Sequence, residues 1–557
     1  MGKDTTGVLK EERAIPTEFL HCIDVAELVP ANHILRALPA ERSLLATFHA
    51  CLGEELTGHL QRIRDAYGQD RETLVTHLLA WHKRKGAAQP ALNNITQLRQ
   101  PDTLVVIGGQ QAGLLTGPAY TIHKAISLLK LAQELSAQTP FTFVPMFWTA
   151  SEDHDLAEVD HTYIFSPDGN EVERLSYPIA EAYRGRSIGH IPLGEDWKAF
   201  LRHLQTRLTP TGFTENLFKL LQEAAEEAES YADWFNLLMV KLFSPHGLIV
   251  VDPLDRELKQ LVRPLLAQAI DEPLAVSYLV NRAGDRLEEQ GWKRQIHKVE
   301  SSCPFFLQEE ERRVPVRFQQ GEYRTPNRSY TRADLQAILQ AAPERFSPNA
   351  TLRPVMADFL FPTGAFVGGP GEMGYLAQLP EVYHHFQVPM PVIFPRIGYT
   401  YILPKVGKIL AKYHLSPLDV REEHQVFTQI SRRRYQVAEE AYWEQLRAAV
   451  QQPFHHLRTA VPEIDPTLVG AVDSTVHYLL DRINKLEQKL LRNVRQKEEI
   501  IHQQIRHAHF HLFPRNRLQE RSINIFYYLN IFGFSLVSDL LAQCSIGHTR
   551  HCFVRLL

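Results

Sequence analysis

At 557 residues, with 44 % hydrophobic and 22 % charged content, the chain is too long for one hydrophobic core and has the make-up of a globular protein of two to four structural units. A formal net charge of -4 gives no overall pull toward nucleic acid or an anionic membrane. Five cysteines (Cys22, Cys51, Cys303, Cys544, Cys552) without C-x-x-C spacing argue against a disulfide framework and a zinc ribbon, and they predict a reducing, cytoplasmic setting. The first twenty residues hold no apolar leader core and the chain no run of eighteen apolar residues, which predicts neither secretion nor a membrane span.

Residues 1–100 read as mostly helical, with apolar periodicity through Leu44, Leu45, Phe48, Leu52, Leu56 and Leu60 and again from Leu74 to Trp81. TLVVIGGQQAGLLTGPAYTIHK (103–124) follows. Its β-branched run Leu104–Ile107 predicts a buried strand that stops at Gly108 and Gly109, and a long helical pattern begins after Pro118. Strand, glycine turn and helix N-terminus in that order predict an anion-binding corner, because the first N–H groups of a helix lack partners and its dipole favours negative charge. Gly109, Gln110, Gln111, Gly113, Thr116, Gly117, His123 and Lys124 are its candidate residues. Neither G-x-G-x-x-G nor a P-loop is present within this stretch. The alternative is a tight turn needing glycine only for positive φ, although the polar load exceeds what such a turn requires.

A helix over 119–135, a break at Pro140 and a second buried strand (141–148) complete a βαβ unit and thus a parallel sheet. Ligands in such sheets sit beyond the carboxyl ends of the strands. The loop TASEDHDLAEVD (149–160) falls there, with Glu152, Asp153, His154 and Asp155 as candidates for proton transfer. Its other reading is a solvated acidic loop that caps the next helix through Ser151 or Asp153. His154 with Asp153, Asp155 or His161 would bind a metal only if the geometry converged, and no metal ligand is assigned.

The core, begun with the helices in 1–160, is interrupted by a first connecting insertion at 161–245 and resumes over 246–284 with a strand ending in Asp252. A second insertion (285–345) carries a hairpin (314–319, 321–326) and a helix (331–341). Core residues 346–412 include AFVGGPGEMGY, a second strand, glycine turn and helix with Gly369, Gly371, Glu372 and Tyr375, then a strand over 391–402 that presents Arg396. Arg396 could grip a phosphate or carboxylate bidentately, or pair with a neighbouring carboxylate. Residues 413–515 read as an antiparallel helical hairpin broken at Pro453, whose near-heptad (Leu479, Ile483, Leu486, Leu490, Val494, Ile501, Ile505) suits dimerisation. Its basic face (Lys485, Lys489, Arg492, Arg495, Lys497, Arg506) reads as solvated, with no nucleic-acid partner. Residues 516–557 return to the body.

No H-E-x-x-H helix or kinase motif set is present. GGQQAGLLTGPAYTIHKAISLLKLA (108–132), PMFWTASEDHDLAEVDHTY (145–163), SPNATLRPV (347–355) and GGPGEMGYLAQL (368–379), with the long helical hairpin, resemble the bacillithiol synthase family, the cysteine-adding enzymes of bacillithiol biosynthesis. The resemblance runs in order over nearly the whole chain. It implies an α/β fold: a Rossmann-like parallel core similar to class I aminoacyl-tRNA synthetases and nucleotidyl transferases, two connecting insertions and a coiled coil that forms a homodimer. It implies a cytoplasmic ligase that adds L-cysteine to the amine of glucosaminyl malate, with ATP or ADP as nucleotide and magnesium left open. Of the paired-histidine and lysine–serine signatures of class I synthetases only His123 has a counterpart here. The other function class is a non-catalytic Rossmann-like ligand-binding or assembly protein that works through its coiled coil.

Overall fold

Five short runs of apolar residues, buried on both faces, form the central sheet: β1 (Thr103–Gln110), β2 (Thr142–Thr149), β3 (Ile249–Val251), β4 (Thr363–Gly368) and β5 (Val392–Pro395). Continuous rather than alternating hydrophobicity is what a parallel sheet covered on both sides requires, and every pairing is parallel in the order β5-β4-β1-β2-β3. The chain lays β2 and β3 on one side of β1, then returns to add β4 and β5 on the other. The order therefore reverses between β1 and β4, and their carboxyl ends flank the crevice where such sheets bind ligands.

This computed structural model describes residues 17–24, 28, 54–434, 440–497, 499–544 and 550–556. They divide into two compact units, one running to Thr400 and resuming over Glu520–Val554, the other comprising Tyr401–Gln519 and the last residues of the chain. The expected boundaries at 412/413 and 515/516 thus move to 400/401 and 519/520. Part of the expected N-terminal helical pattern (Leu44, Leu45, Phe48, Leu52) lies outside the described residues, while helices Glu54–Ala66 and Arg71–Arg84 carry the remainder.

Several expectations are corrected. Strand β1 does not stop at Gly108 but continues to Gln110. A Cβ on Gly109 would lie 2.4 Å from the Trp148 carbonyl oxygen, so this glycine serves close strand contact. The strand expected over 391–402 is two, β5 and Gly398–Ile402, in different sheets. An unforeseen strand, Thr17–Asp24, lies beside Arg550–Leu556, and Cys22 is bonded to Cys552 across 530 residues of sequence. Local cysteine spacing carries no information about such a pair; Cys303 and Cys544 are buried thiols.

The first insertion is an antiparallel ribbon (His161–Phe165, Val172–Ser176) followed by three helices ending with Tyr231–Phe243. The second is larger than the expected hairpin. Ser302–Glu309, Arg312–Gln319, Glu322–Arg324 and Ser329–Tyr330 form an antiparallel sheet that Phe346–Pro348 joins at the edge of Ser302–Glu309.

In the second unit, helices Glu440–Ala460 and Val469–Lys497 run antiparallel. Arg447 reaches Glu487 at 2.9 Å, Arg458 reaches Asp473 at 2.8 Å, and Trp443 is buried. Pro453 does not break the first of these helices but sits inside it. A proline there removes one hydrogen bond, a loss the paired helix tolerates. Val426, Phe427, Ile501 and Ile505 form a separate small core. The side chains of Val494, Arg495 and Lys497 lie outside the described residues. No single helix among those described is long and apolar enough to cross a membrane.

Candidate active site

A cavity of about 530 Å³ opens beyond the carboxyl ends of β1 and β4, at the reversal of strand order. Gly109, Gln110 and Gln111 line it from β1 and the following turn, Glu152, Asp153 and His154 from the loop after β2, and Gly369, Gly371, Glu372 and Tyr375 from the turn after β4, with Lys124 and Arg396 at its base. These candidates come together. Gly113, Thr116, Gly117, His123 and Asp155 do not line it.

The glycine corner is engaged with its own protein. Leu115, Thr116 and Gly117 are successive left-handed residues (φ 50°, 66° and 72°), a strained path for the two that carry a Cβ. Asn524 clamps it, donating from Nδ2 to the Leu115 and Gly117 carbonyls at 2.7 Å each. The Ala119 N–H donates to the Ile523 carbonyl and the Gly117 N–H to that of Leu114. His123 is fully buried, its Nδ1 2.9 Å from Glu520. Glu520 accepts both arms of Arg396, at 2.8 and 2.6 Å. Although burial opposes its charge, Arg396 and His123 hold the Glu520 carboxyl well below its usual range. The segment 520–524 thus closes the corner, a role that no local signal in 516–557 announces.

Lys124 has three N–H bonds and three acceptors: Gly109 O at 2.6 Å, Gln110 Oε1 at 3.3 Å and Glu372 Oε2 at 2.5 Å. Burial lowers its pKa against the attraction of Glu372. Glu372 also accepts the Gly369 N–H at 2.8 Å, the N3 carboxylate satisfying the N-cap donor of its own helix. Burial would raise the Glu372 pKa, but Lys124 and that N–H keep it low.

In the acidic loop, Glu152 is buried against Lys259, which also donates to Phe346 O at 2.9 Å. Burial pushes the Glu152 pKa up despite that partner. Asp155 is exposed and caps the short helix Leu156–Val159 through the Ala157 N–H. Asp153 accepts the His154 backbone N–H at 2.8 Å. His154 itself is 38 % exposed, and its Nδ1 lies 3.1 Å from Arg313 Nη1. Burial and then Arg313 lower its pKa, with Asp153 and Asp155 opposing.

Cations from elsewhere in the sequence complete the cavity. Arg353 donates to the Tyr375 hydroxyl at 2.9 Å and has no carboxylate partner among the described residues. Burial opposes its charge, but Tyr375 and Glu372 keep it protonated. The Lys298 ammonium has no partner there either, and burial lowers its pKa. Arg521 stands exposed on the same lining. Arg353 falls inside the block SPNATLRPV, a signal that could have found it; Lys298 and Arg313 come from the second insertion, where nothing local marks them.

Residues 20–397 match the model of the Bacillithiol biosynthesis BshC N-terminal Rossmann-like domain, and residues 399–556 that of the BshC C-terminal coiled-coil domain. A relative from Salinibacter ruber is 34 % identical over 474 residues, covering 85 % of this chain and 86 % of its own. One from Bacillus cytotoxicus is 31 % identical over 520 residues, 91 % of this chain and 95 % of its own. Both bear the name "Putative cysteine ligase BshC". With both domain models matched in order and these relatives aligned along nearly their full length, the chain belongs to the BshC family of bacillithiol biosynthesis.

Proposed function

We propose that this protein is a ligase that forms an amide bond between the carboxyl of L-cysteine and the amine of glucosaminyl malate, with ATP as co-substrate. Family membership supports the reaction. The observation in the molecule that carries the substrate reading is the pair Arg353 and Lys298, two cations on one cavity without carboxylate partners among the described residues. Both are partly buried and line the cavity, and a cation so placed is complemented by an anionic ligand; the two carboxylates of malate supply that charge. Arg396 and Lys124, already bound by Glu520 and Glu372, shape the floor and are not the primary anion grip.

An amide does not form in water from a free carboxylate and an amine, and ATP supplies the missing leaving group. Gln110, Gln111 and Tyr120 offer neutral polar groups beside the site, and preorganised donors at developing charge are the expected source of rate. Among the described residues no group of three or more His, Cys, Asp and Glu side chains is placed to hold a metal; magnesium would enter with the nucleotide phosphates.

On helix Val469–Lys497, Tyr478, Leu486 and Leu490 are exposed on one face, 54, 50 and 36 % respectively. We read this face as the homodimer contact, since exposed apolar stripes mark interfaces. Sedimentation should give twice the chain mass, and Leu486→Glu with Leu490→Glu should give the chain mass. In this reading the enzyme works in the cytoplasm.

Purified protein with cysteine, glucosaminyl malate, ATP and magnesium should yield bacillithiol by mass spectrometry. No product, together with continued bacillithiol synthesis in a deletion strain, would overturn the proposal.

A further inference from the structure

We infer that Arg313, delivered by the second insertion, fixes His154 as a hydrogen-bond donor through Nε2, so that His154 stabilises charge in the reaction instead of removing a proton. This rests on the reading of the cavity as the ligase site.

A guanidinium has donors and no acceptor. With Arg313 Nη1 3.1 Å from His154 Nδ1, that nitrogen must be the acceptor. The Asp153 carboxylate lies 3.7 Å from the same nitrogen, too far to claim its proton. A neutral imidazole carries one proton, which then sits on Nε2. Among the described residues Nε2 has no partner, on a side chain that lines the cavity.

Arg313 is well placed to impose this. Its Nε donates to Ser347 Oγ and its Nη2 to the Pro348 carbonyl, both at 2.8 Å, and its guanidinium lies 3.8 Å from the centre of the Phe306 ring. The Phe306 ring also lies 5.8 Å from that of His154. The arginine backbone is held in turn by its N–H to the Gly185 carbonyl of the first insertion. Both insertions therefore act on one imidazole. The charged groups that act on His154 are Arg313 across the cavity wall and Asp153 and Asp155 on its own loop; burial and the guanidinium keep the ring neutral.

In the reaction the amine nitrogen attacks the activated acyl carbon. As the C–N bond forms, the carbonyl π pair moves onto oxygen. It then returns as the C–O bond to the phosphate-bearing leaving group breaks, and the amine proton departs to a base other than His154. Asp153 is the carboxylate beside it that lines the cavity. The Nε2–H serves the oxygen while it carries charge, a donor role of the oxyanion-hole kind.

The test uses the full-length protein labelled with 15N-histidine, its His154 signals identified by their absence in His154→Gln. At neutral pH, Nδ1 should resonate as an unprotonated, pyridine-type nitrogen and Nε2 as a protonated, pyrrole-type one. Arg313→Lys and Arg313→Met should each weaken that pattern, and in the ligase assay they should lower kcat about tenfold with KM little changed. His154→Ala should lose about 100-fold in kcat, whereas His154→Gln, which keeps an N–H donor, should recover part of it. An Nδ1–H ring or an imidazolium in the wild-type spectrum would overturn the inference, as would a glutamine variant as inactive as the alanine one. Because the spectrum needs no turnover, a protein with the expected tautomer and no ligase activity would count against the proposed reaction and not against the tautomer.

Discussion

The glycine corner at 113–117 and the wall formed by His154, Arg353 and Lys298 both gather polar residues near the carboxyl edge of the sheet. They differ in where their hydrogen bonds go. At the corner, Asn524 and Ile523 engage the free backbone groups, and Glu520 takes both His123 and Arg396. On the wall, Lys298 and His154 Nε2 have no partner among the described residues, and Arg353 has only a tyrosine hydroxyl. Groups satisfied inside the protein should answer to mutation in stability, and groups left open should answer in catalysis.

The largest effect is expected at Glu520. Its carboxylate is 3 % exposed and holds Arg396, 7 % exposed. Glu520→Ala leaves a buried cation without compensation, a change that costs about 3–5 kcal/mol, read by urea or thermal unfolding. If that variant kept its stability and lost only turnover, the division between the two regions would fail at its strongest point.

His82 sharpens the same division through pH. Its Nδ1 contacts the Leu78 carbonyl at 2.8 Å and its Nε2 accepts the Val250 N–H of β3 at 3.1 Å, so the folded ring must be neutral. Burial lowers its pKa to about 4 from an ordinary 6.5. The unfolded chain then binds the extra proton first. The stability His82 contributes is complete above pH 6.5 and is lost as pH falls toward 4, by roughly 1.4 kcal/mol per unit. Urea unfolding at pH 7 and pH 5.5 should show that slope, and His82→Gln should remove its share.

Smaller in free energy, and opposite in kind, is the expectation for the open cations. Arg353→Ala or Lys298→Ala should raise KM for glucosaminyl malate about 10-fold, the size of a lost charged hydrogen bond of about 1.5 kcal/mol, with the unfolding midpoint nearly unmoved. Equal loss of binding for a substrate analogue without the malate carboxylates would count against the assignment.

Much of this architecture was legible in the sequence, for identifiable reasons. Buried parallel strands are continuous apolar runs, so β1, β2 and β3 announce themselves. The strand-end rule then places Gln110, Glu152, Asp153, His154 and Glu372 on one cavity. What stayed hidden depends on contacts between distant residues. Arg313 meets His154 across 159 positions and Glu520 meets His123 across 397; neither has a local pattern, because hydrogen bonding between elements leaves no periodicity. The Cys22–Cys552 bond is the extreme case. The glycines misled in a specific way. Gly109 is demanded by the Trp148 carbonyl and Gly117 by its positive φ, and a sequence cannot tell these needs from a ligand's approach.

Asp155 gives the smallest effect and the finest discrimination. It stands next to His154 in a motif that reads as catalytic, yet its Oδ1 accepts the Ala157 N–H at 3.1 Å, and it lies outside the cavity lining. As an N-cap on a one-turn helix it should contribute about 1 kcal/mol or less. Asp155→Asn keeps the cap and should match the wild type in both stability and turnover. Asp155→Ala should lower the unfolding midpoint slightly and leave kcat within about twofold, because the cap orders only the turn after the loop. The adjacent His154→Ala carries the contrary expectation, full stability with turnover lost. If instead Asp155→Asn abolished turnover in a fully folded protein, the carboxylate charge itself would be needed, and a satisfied hydrogen bond would no longer distinguish structural from catalytic groups at this edge of the sheet.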